Sequence, residues 1–322
     1  MTEQINTKKP LVSFALFAYN QEKYIREAVE GALAQTYSPL QIILSDDCSS
    51  DRTFQIMQEM VTEYAGTHEI LLIRNEINIG LAEHINRVAK LCKGELIIVA
   101  AGDDISMTFR TSRLLDFYLD NDRPGVVFSD CLEIDNDGNL WLGQSITQKE
   151  QDLANFIKRP LIRGATCAWS REIFDNFEEL MKTVTSEDQP LPVRAYIIQR
   201  PPRMLNEKLL KFRRDNLKIK GSKNISIRVF WQFWPLYSSA IQMLIDANGK
   251  PNIDSNLKSI IINNEKEQRQ IFDLITEKSA IEFAKKSFNF LLLKNITIYT
   301  KACFIKFGSL GKREKILLDS LN

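Results

Sequence analysis

Two pairs of neighbouring aspartates stand where runs of apolar residues end. LQIILS at 40–45 leads into Asp46–Asp47, and LIIVAAG at 96–102 leads into Asp103–Asp104. Placing like charges side by side costs free energy unless a cation or a hydrogen-bond donor lies nearby. Mg²⁺ and Mn²⁺ prefer oxygen ligands and often bind through one or two carboxylates plus substrate phosphates. The pairs therefore indicate a site for a divalent cation, or for a hydroxyl group that one carboxylate would bind.

The alternative for each pair is a structural role, because acidic residues commonly cap helices or lie in solvated turns. This alternative is stronger for Asp46–Asp47, since Ser49, Ser50 and Asp51 make a good helix start. It is weaker when both pairs follow strands of one sheet. Ligands of open α/β sheets bind beyond the carboxyl ends of the strands. We therefore expect both pairs to lie near a common ligand.

A third acidic pair, Glu187–Asp188, lies in SEDQPLPVRAYI at 186–197 and precedes Pro190 and Pro192. Acidic residues at a helix start interact favourably with the helix dipole, which would explain the pair without any chemistry. A carboxylate next to a metal-held diphosphate would also suit a general base. Both interpretations of this pair stay open at the level of the residues alone.

The elements that must position these pairs alternate between strand and helix. Apolar spacing predicts strands and helices in turn, with strands at 11–19, 40–47, 69–74 and 94–100 and helices at 21–35, 51–64 and 81–92. Strands that are apolar on both sides and alternate with helices are typical of a mostly parallel sheet with helices on both faces. The predicted fold class is therefore α/β.

The pattern is less regular after residue 104 and changes character near 217. The sequence there predicts a further set of elements: helices at 110–121 and 171–181, and strands at 125–130 and 162–170, with an Asp-Gly turn within 134–141. Strand-like runs nearly vanish beyond about residue 216, and 225–247 and 265–294 have helical patterns. We therefore predict a boundary near 217–224 and a C-terminal helical region.

Composition excludes several classes of protein. The chain has 322 residues and a formal net charge of +1, which gives no sign of a nucleic-acid-binding protein. The five cysteines form no Cys-x-x-Cys pair, which indicates free thiols in a reducing compartment and disfavours a zinc site. The first residues have no apolar segment long enough for a signal peptide. We therefore expect a cytoplasmic protein.

Three blocks of the sequence together resemble the inverting family 2 glycosyltransferases, which have the GT-A fold. Residues 12–53 contain the Tyr19-Asn20 strand end, the helix closing with Gln35-Thr36-Tyr37, and an Asp-Asp-x-Ser-x-Asp turn. Residues 75–104 are similar to the next block, which ends in the family's metal-binding acidic motif. The stretches 186–197 and 205–216 resemble the block around the catalytic base. The resemblance covers roughly residues 10–216.

The resemblance implies a role for each of several residues. Asp47 would hydrogen-bond the base of the nucleotide, usually uracil, and Tyr19 would lie near that ring. Asp103 would contact the ribose or the sugar of the donor, and Asp104 would hold Mn²⁺ or Mg²⁺. Asp188 would remove the proton from the acceptor hydroxyl as that oxygen attacks the anomeric carbon. A single displacement inverts the configuration.

The chain departs from the family pattern at two points. Many relatives have an aspartate where this chain has Ala101, which changes the donor pocket. Several relatives also place a metal-binding histidine near the Arg-rich strand, and KFRRDNLK at 211–218 has none. Arg213 and Arg214 are candidates for the diphosphate instead. Glu187 would support its neighbour.

The acceptor pocket of relatives lies where this chain has RGATCAW at 163–169. Arg163, Thr166 and Trp169 are therefore candidate acceptor contacts, and core packing is the equal alternative for Trp169. We expect structural roles for two further groups of residues, the histidines His68 and His84 and the thiols of Cys131 and Cys167.

The resemblance divides the chain into a GT-A catalytic domain at 1–216 and a helical region at 217–322. Within the first, about 10–104 would bind the nucleotide and 105–216 the acceptor. The aromatic stretch 229–237 and the apolar and basic tail 301–318 suit either docking of helices, which we favour, or peripheral contact with the inner face of the plasma membrane. A homodimer through the C-terminal helices stays open.

The leading functional hypothesis is a metal-dependent inverting glycosyltransferase. It would move a sugar from a nucleotide-sugar donor, expected to be a UDP-sugar, to a carbohydrate or lipid-linked glycan during surface polysaccharide or lipid-linked oligosaccharide synthesis. The alternative is a non-catalytic nucleotide-sugar-binding or scaffold protein with the same fold, which Ala101 and the missing histidine keep open. A nucleotidyltransferase would need a glycine-rich, lysine-bearing phosphate loop, which FAYNQEK at 17–23 does not supply.

Overall fold

A computed structural model of the chain describes residues 9–141, 148–158, 161–214 and 238–286, with backbone only at 158 and 271–286. The chain divides into two compact units. The first comprises Met1–Glu179 and Glu187–Leu217, and the second comprises Leu180–Ser186 and Lys218–Asn322. The predicted division of functions between 1–216 and 217–322 stays a prediction.

The first half of the first unit alternates between strand and helix as predicted. Its elements in chain order are β1 (Val12–Ala18), α1 (Ile25–Leu33), β2 (Leu40–Asp46), α2 (Thr53–Glu63), β3 (Glu69–Arg74), α3 (Leu81–Leu91) and β4 (Leu96–Ala101).

The second half has shorter and less regular elements. They are β5 (Ile105–Ser106), α4 (Arg110–Asp120), β6 (Val126–Ile134), α5 (Leu153–Lys158), a 3₁₀ turn (Gly164–Thr166), β7 (Cys167–Ser170), α6 (Glu172–Asp175), α7 (Pro190–Ile197) and β8 (Arg203–Arg213). In the second unit, residues 238–248 are helical (α8) and α9 is Ser255–Lys286.

The strands of the described residues form one sheet in the order β3-β2-β1-β4-β7-β6-β8-β5. The strands β3, β2, β1 and β4 are parallel to one another. Strand β7 is antiparallel to both β4 and β6, β6 is parallel to β8, and β5 is antiparallel to β8. This sheet with its helices confirms the predicted α/β class.

Side chains on both faces of β1 are buried, which explains why this strand reads as an uninterrupted apolar run. Phe14 and Leu16 point to one face and belong to a core that includes residues of α1, α2 and α4. Ser13 and Ala15 point to the other face and are equally buried. On that second face, Phe17 packs edge-on against His84 of α3 with ring centroids 5.2 Å apart. Helices therefore cover the sheet on both sides.

Two predicted elements of the second half are wrong in extent. The helix predicted at 171–181 is only α6, and beyond it the Phe177 N–H donates to the Phe174 carbonyl three positions back, which does not continue the α-helical pattern. The strand predicted at 162–170 begins only at Cys167, since the 3₁₀ turn precedes it. The helices predicted at 225–247 and 265–294 are helical where the structure describes them.

The C-terminal stretches 229–237 and 301–318, for which we favoured helix docking over peripheral membrane contact, lie outside the described residues. Within the described part of the chain, no helix is both long enough and apolar enough to cross a membrane.

Gln35, just beyond α1, connects the end of that helix to the start of α4. Its Nε2 donates to the carbonyls of Gly31 and Met107, at 2.8 Å each. Its Oε1 accepts hydrogen bonds from the backbone N–H of Thr111 at 3.0 Å and from the Thr111 hydroxyl at 2.7 Å. The buried amide is therefore satisfied by partners on both segments, and it fixes the loop that precedes α4.

Candidate active site

The second acidic pair lies at the end of β4, on a loop that Gly102 allows to pack closely. The Gly102 N–H donates to the Phe17 carbonyl at 2.9 Å. A Cβ at this position would collide with Gln21 Oε1 and would lie 3.0 Å from the Ile25 side chain. The tight packing therefore favours glycine where the chain brings Asp103 and Asp104 to the edge of the sheet.

Asp104 is a buried carboxylate in an unfavourable electrostatic position. Its side chain is 3% exposed, and its Oδ1 accepts a hydrogen bond from the backbone N–H of Arg213 at 2.7 Å. Burial, followed by the charge of Asp103, raises the pKa of Asp104 to about 8. The nearby charges of Arg110 and Arg213 act in the opposite direction and lower it.

These features fit a divalent cation. Within the described part of the chain, Asp104 Oδ2 accepts no hydrogen bond, so this oxygen has capacity for a cation. A positive ion would relieve both the burial and the repulsion that penalise the ionised pair. No group of three or more His, Cys, Asp or Glu residues within the described ranges could form a complete cage. The residues therefore fit Mg²⁺ or Mn²⁺ that takes its remaining ligands from substrate and solvent.

The first acidic pair, at the end of β2, is extensively hydrogen-bonded. Asp46 is buried, accepts a hydrogen bond from the Ser49 N–H at 2.9 Å, and pairs with Arg74 Nε at 3.3 Å. The Ser49 hydroxyl also donates to Asp46. Asp46 therefore has the structural role that sequence reasoning considered for this pair.

Asp47 holds the loop that precedes α3. Its Oδ1 accepts hydrogen bonds from the Asn75 side chain at 2.7 Å and from the Ile79 N–H at 2.9 Å, and its Oδ2 accepts one from the Gly80 N–H at 3.0 Å. The ring of Tyr19, at the end of the adjacent β1, is 49% exposed. The nucleotide role of Asp47 and Tyr19 stays a prediction, and the structure adds a loop-organising role for Asp47.

The third acidic pair is placed against the 3₁₀ turn. Glu187 and Asp188 are partly buried and precede Gln189, the N-cap of α7. Gly164 makes room for this pair, because a Cβ there would collide with Glu187 Oε1 and would lie 3.8 Å from Asp188 Cβ. Burial, and then the charge of Asp188, raises the pKa of Glu187 to about 7. The pair therefore includes a group that can exchange a proton near neutral pH.

Arg163 and Arg214 share one buried carboxylate, Glu133. Arg163 Nη2 and Arg214 Nε both donate to Glu133, the latter at 2.7 Å. The Arg163 guanidinium lies 5.0 Å from the centre of the Phe212 ring, and its Nη1 lies 2.9 Å from Cys131 Sγ. These contacts order both arginines beside β6 and β8, and their contact with acceptor or diphosphate stays a prediction.

Arg213 lies in an internal network. Its Nε donates to the Asp103 carbonyl at 3.0 Å and its Nη1 to the Asp135 carbonyl at 3.0 Å, and Nη2 pairs with Glu27. The guanidinium also stacks over the Tyr24 ring at 4.4 Å. These contacts fasten the acidic loop to α1 and to the turn after β6. The role of Arg213 at a diphosphate stays a prediction that these contacts do not favour.

Comparison with known proteins decides the family. The sequence pattern described as glycosyl transferase family 2 matches residues 13–177, which is about half of the chain. The chain belongs to this family.

Two curated relatives show how far the family 2 glycosyltransferase likeness extends. An uncharacterised glycosyltransferase of Methanocaldococcus jannaschii is 26% identical over 236 residues, which cover 70% of this chain and 80% of that protein. An Escherichia coli enzyme, the UDP-Glc:alpha-D-GlcNAc-diphosphoundecaprenol beta-1,3-glucosyltransferase WfaP, is 35% identical over 107 residues. That match covers 33% of this chain and 41% of the enzyme, so the chain spans less than half of its length.

Two solved structures show the GT-A fold. S. aureus TarS 1–349 in complex with UDP-GlcNAc superposes with a TM-score of 0.58 at 17% identity, over 81% of this chain and 73% of TarS 1–349. The mannosyltransferase PcManGT from Pyrobaculum calidifontis, in complex with GDP-Man and Mn²⁺, superposes with a TM-score of 0.57 at 14% identity, over 96% of this chain and 83% of that one. The GT-A fold predicted for this family 2 glycosyltransferase is confirmed.

The remaining candidates of this family 2 glycosyltransferase are buried. Trp169 packs between Phe17 and Phe174, with ring centroids 6.4 and 5.6 Å away, which supports the core-packing alternative. The Thr166 hydroxyl lies 3.0 Å from Gln148 Oε1 and 2.8 Å from the Arg163 carbonyl oxygen, and it can donate to either. Both residues therefore have internal packing or hydrogen-bonding roles, and their contact with an acceptor stays a prediction.

The histidines and two of the thiols have structural surroundings. His84 bonds the Ser45 hydroxyl, and His68 Nε2 lies 2.8 Å from the Gln35 carbonyl oxygen. The thiols of Cys131 and Cys167 are buried, and burial raises the pKa of each, which disfavours the thiolate.

Sequence reasoning missed Arg110, the first residue of α4. Its side chain is fully buried and lies within electrostatic range of Asp104. The available signal was an arginine near a metal motif at the start of an amphipathic helix, which is weak because most arginines in helices are exposed.

Proposed function

We propose that this family 2 glycosyltransferase is a metal-dependent inverting enzyme that uses a nucleotide-diphosphate sugar. The observation that carries the proposal is the Asp103–Asp104 pair at the end of β4, where a buried carboxylate with a strongly raised pKa has an oxygen without a hydrogen bond. A UDP-sugar is the expected donor, in keeping with the UDP-glucose in the name of WfaP. A glycan or lipid-linked glycan involved in surface polysaccharide synthesis is the expected acceptor.

The donor would lie along the edge formed by the ends of β1, β2 and β4. These strands are parallel and in register, with Ala18 opposite Asp46 and Phe17 opposite Ala101, so their carboxyl ends meet at one edge. The exposed Tyr19 ring offers a surface for the base, and Asp47 offers a carboxylate acceptor for an imide N–H. Asp103 would accept a hydrogen bond from a hydroxyl of the ribose or sugar.

Asp104, with Asp103 beside it, would hold Mn²⁺ or Mg²⁺. When bound, the cation would supply positive charge to the diphosphate and stabilise the leaving nucleotide. The chain itself would contribute the fixed position of the carboxylates, through the Arg213 N–H and the packing at Gly102. Because these groups are fixed by folding, they would require little rearrangement during the reaction.

Asp188 would act as the general base that accepts the proton of the acceptor hydroxyl. Its neighbour Glu187 is held against the 3₁₀ turn at Gly164 and would fix the position of the pair. The acceptor oxygen forms the new bond to the anomeric carbon while the bond to the nucleotide diphosphate breaks, which inverts the configuration. No enzyme nucleophile is needed for this single displacement.

A thermal-shift screen of nucleotide sugars with and without Mn²⁺, followed by a transfer assay, tests the proposal. We expect a UDP-sugar to raise the melting temperature only in the presence of metal, because a ligand that binds only the native state stabilises it. Asp188→Asn should retain this shift and lose transfer. The matched control, Asp120→Asn, changes an exposed aspartate of α4 and should keep both properties. Full transfer in excess chelator would contradict the proposal.

The non-catalytic alternative has one observation in its favour. Ala101 ends β4 at the place where many relatives have an aspartate, so the carboxylate set at the edge of the sheet is smaller. The same screen separates the two functions. Metal-dependent binding of a UDP-sugar, together with no product across a panel of glycan and lipid-linked acceptors, would favour a binding protein. A cytoplasmic location and a homodimer stay predictions.

A further inference from the structure

Arg110 is a fully buried cation that joins three segments of the first unit. Its Nη1 donates to the Ser106 hydroxyl at 2.9 Å, next to the acidic loop. Its Nη2 donates to the Ala165 carbonyl at 2.7 Å and approaches the Cys167 carbonyl at 3.4 Å. One guanidinium thus connects β5, the 3₁₀ turn and β7. The turn is the one that Glu187 packs against, so Arg110 lies between the donor side and the base side of the site.

A purely structural role leaves part of this arrangement unexplained. Arg110 Nε is buried and has no hydrogen-bond partner within the described part of the chain. An unsatisfied buried N–H costs free energy, and most native structures avoid it. A neutral side chain could bridge the same carbonyls without carrying a buried charge into the protein. Hydrogen bonding alone therefore does not explain why the buried side chain at position 110 is positively charged.

The negative charge nearby supplies that reason. Asp103 and Asp104 are adjacent carboxylates, and Arg110 is within electrostatic range of Asp104. Arg110 stays protonated at neutral pH, because burial lowers its pKa only to about 10. In a poorly solvated region, a positive charge offsets repulsion within an acidic pair far more effectively than it does in water.

We propose that Arg110 is an internal counter-charge of the Asp103–Asp104 pair. It stabilises the pair in the metal-free protein, repels the divalent cation that the pair binds, and ties the pair to the turn Gly164–Thr166. This inference rests on the proposed metal site. Arg110 acts through other residues, and we therefore describe it as a positioning residue.

The proposal makes the effect of Arg110 depend on metal. Without metal, Arg110→Met removes one of the two buried arginine charges near Asp104, so the melting temperature should fall. With saturating Mn²⁺, the cation replaces the missing charge, and the loss should be smaller by about 3 °C if Mn²⁺ binds about tenfold more tightly. Removing the repulsion between two cations is the cause of this tighter binding. Arg110→Lys keeps the charge and should bind Mn²⁺ as the wild type does.

The experiment combines thermal unfolding in chelator and in Mn²⁺ with Mn²⁺ titration followed by the electron paramagnetic resonance signal of the free ion. Arg113→Met is the matched control, because Arg113 is on the same helix but exposed and paired with Glu207. This control should show one melting temperature change in both conditions. Transfer by Arg110→Met should show a lower kcat with little change in the KM for the donor, and Arg110→Lys should restore part of it.

Two negative results are distinguishable. No binding of Mn²⁺ by the wild type would contradict the proposed function and, with it, this inference. Normal metal binding by the wild type, together with equal or weaker Mn²⁺ affinity in Arg110→Met, would overturn the counter-charge role alone. If Arg110→Met does not fold, Arg110→Gln carries the same test, because it is neutral and still donates hydrogen bonds.

Discussion

The ends of β2 and β4 carry the same dipeptide, Asp-Asp, in opposite surroundings. At the end of β2, Asp46 and Asp47 accept hydrogen bonds from backbone and side-chain donors, and Arg74 pairs with Asp46. At the end of β4, Asp104 accepts a single backbone N–H, and its pKa is raised to about 8. The first pair is satisfied by the protein, whereas the second is satisfied only in part.

The difference shows how one sequence motif serves two purposes. A carboxylate whose lone pairs are used by N–H groups organises the backbone around it. A carboxylate that is buried beside another with few donors stores unfavourable electrostatic energy, which a cation can release. Perturbed titration of this kind concentrates at functional sites, and this supports the end of β4 as the reactive end.

The largest expected effect is on transfer by Asp104→Asn. We expect activity to fall at least about a thousandfold, because the site would lose the charge that holds the cation opposite the leaving group. The free energy of unfolding in chelator at pH 7.5 should not decrease, since the amide oxygen can still accept the Arg213 N–H. Transfer rates and urea unfolding measure the two quantities. If Asp104→Asn kept substantial activity but lost stability, the end of β4 would have the structural role that we assign to the end of β2.

The corresponding change at the end of β2, Asp46→Asn, should lower the free energy of unfolding. We expect a loss of about 2–3 kcal/mol in the free energy of unfolding, because buried donors of Ser49 and the charge of Arg74 lose their partner. Urea denaturation measures this loss. An unchanged midpoint would show that the hydrogen bonds around Asp46 contribute little.

Gly164→Ala tests whether the position of the base can be disturbed without affecting donor binding. The new Cβ would occupy the position of Glu187 Oε1, so the Glu187 side chain beside Asp188 has to shift. We expect kcat to fall about tenfold while the KM for the donor stays nearly constant, because misplaced catalytic groups cost rate. Gly249→Ala is the control, since its Cβ would meet only ordinary contacts at 3.6 Å. Equal kcat in Gly164→Ala and the wild type would contradict the placement of the base.

The smallest expected effect is a change in the pH dependence of stability in Glu187→Gln. The folded protein raises the pKa of Glu187 from 4.5 to about 7, so the fold favours the protonated form. Its stabilising contribution is full below pH 4.5 and is lost as the pH rises through 7. Relative to the wild type, the variant should therefore melt a few degrees higher at pH 8 and nearly equally at pH 5. A constant difference at both pH values would contradict this assignment.

The sequence predicted the parallel half of the sheet well. Strands β1, β2 and β4 are buried on both faces and β3 is partly buried, so each strand is a local apolar run in the sequence. The acidic pairs were also predictable, because the carboxyl ends of neighbouring parallel strands meet at one edge. In this half, local pattern and tertiary structure agree.

The other half depends on contacts between residues far apart in the chain, which a local pattern does not contain. Strand β5 has only two residues, Ile105 and Ser106, and is defined by its pairing with β8. Arg110 donates a hydrogen bond to the carbonyl of a residue 55 positions away in the sequence, and Arg213 donates to groups on separate loops. The chemistry of such residues follows from what surrounds them, and only the structure reveals it.

The amide of Gln35 has a thermodynamic consequence for substrate capture. It anchors the segment after the acidic loop at Met107 and Thr111, and Gly102 anchors the segment before it to β1. The loop is therefore ordered during folding, and the arriving donor does not bear the entropic penalty of organising it. We expect calorimetry of donor association to show a small ordering contribution from this side of the cleft.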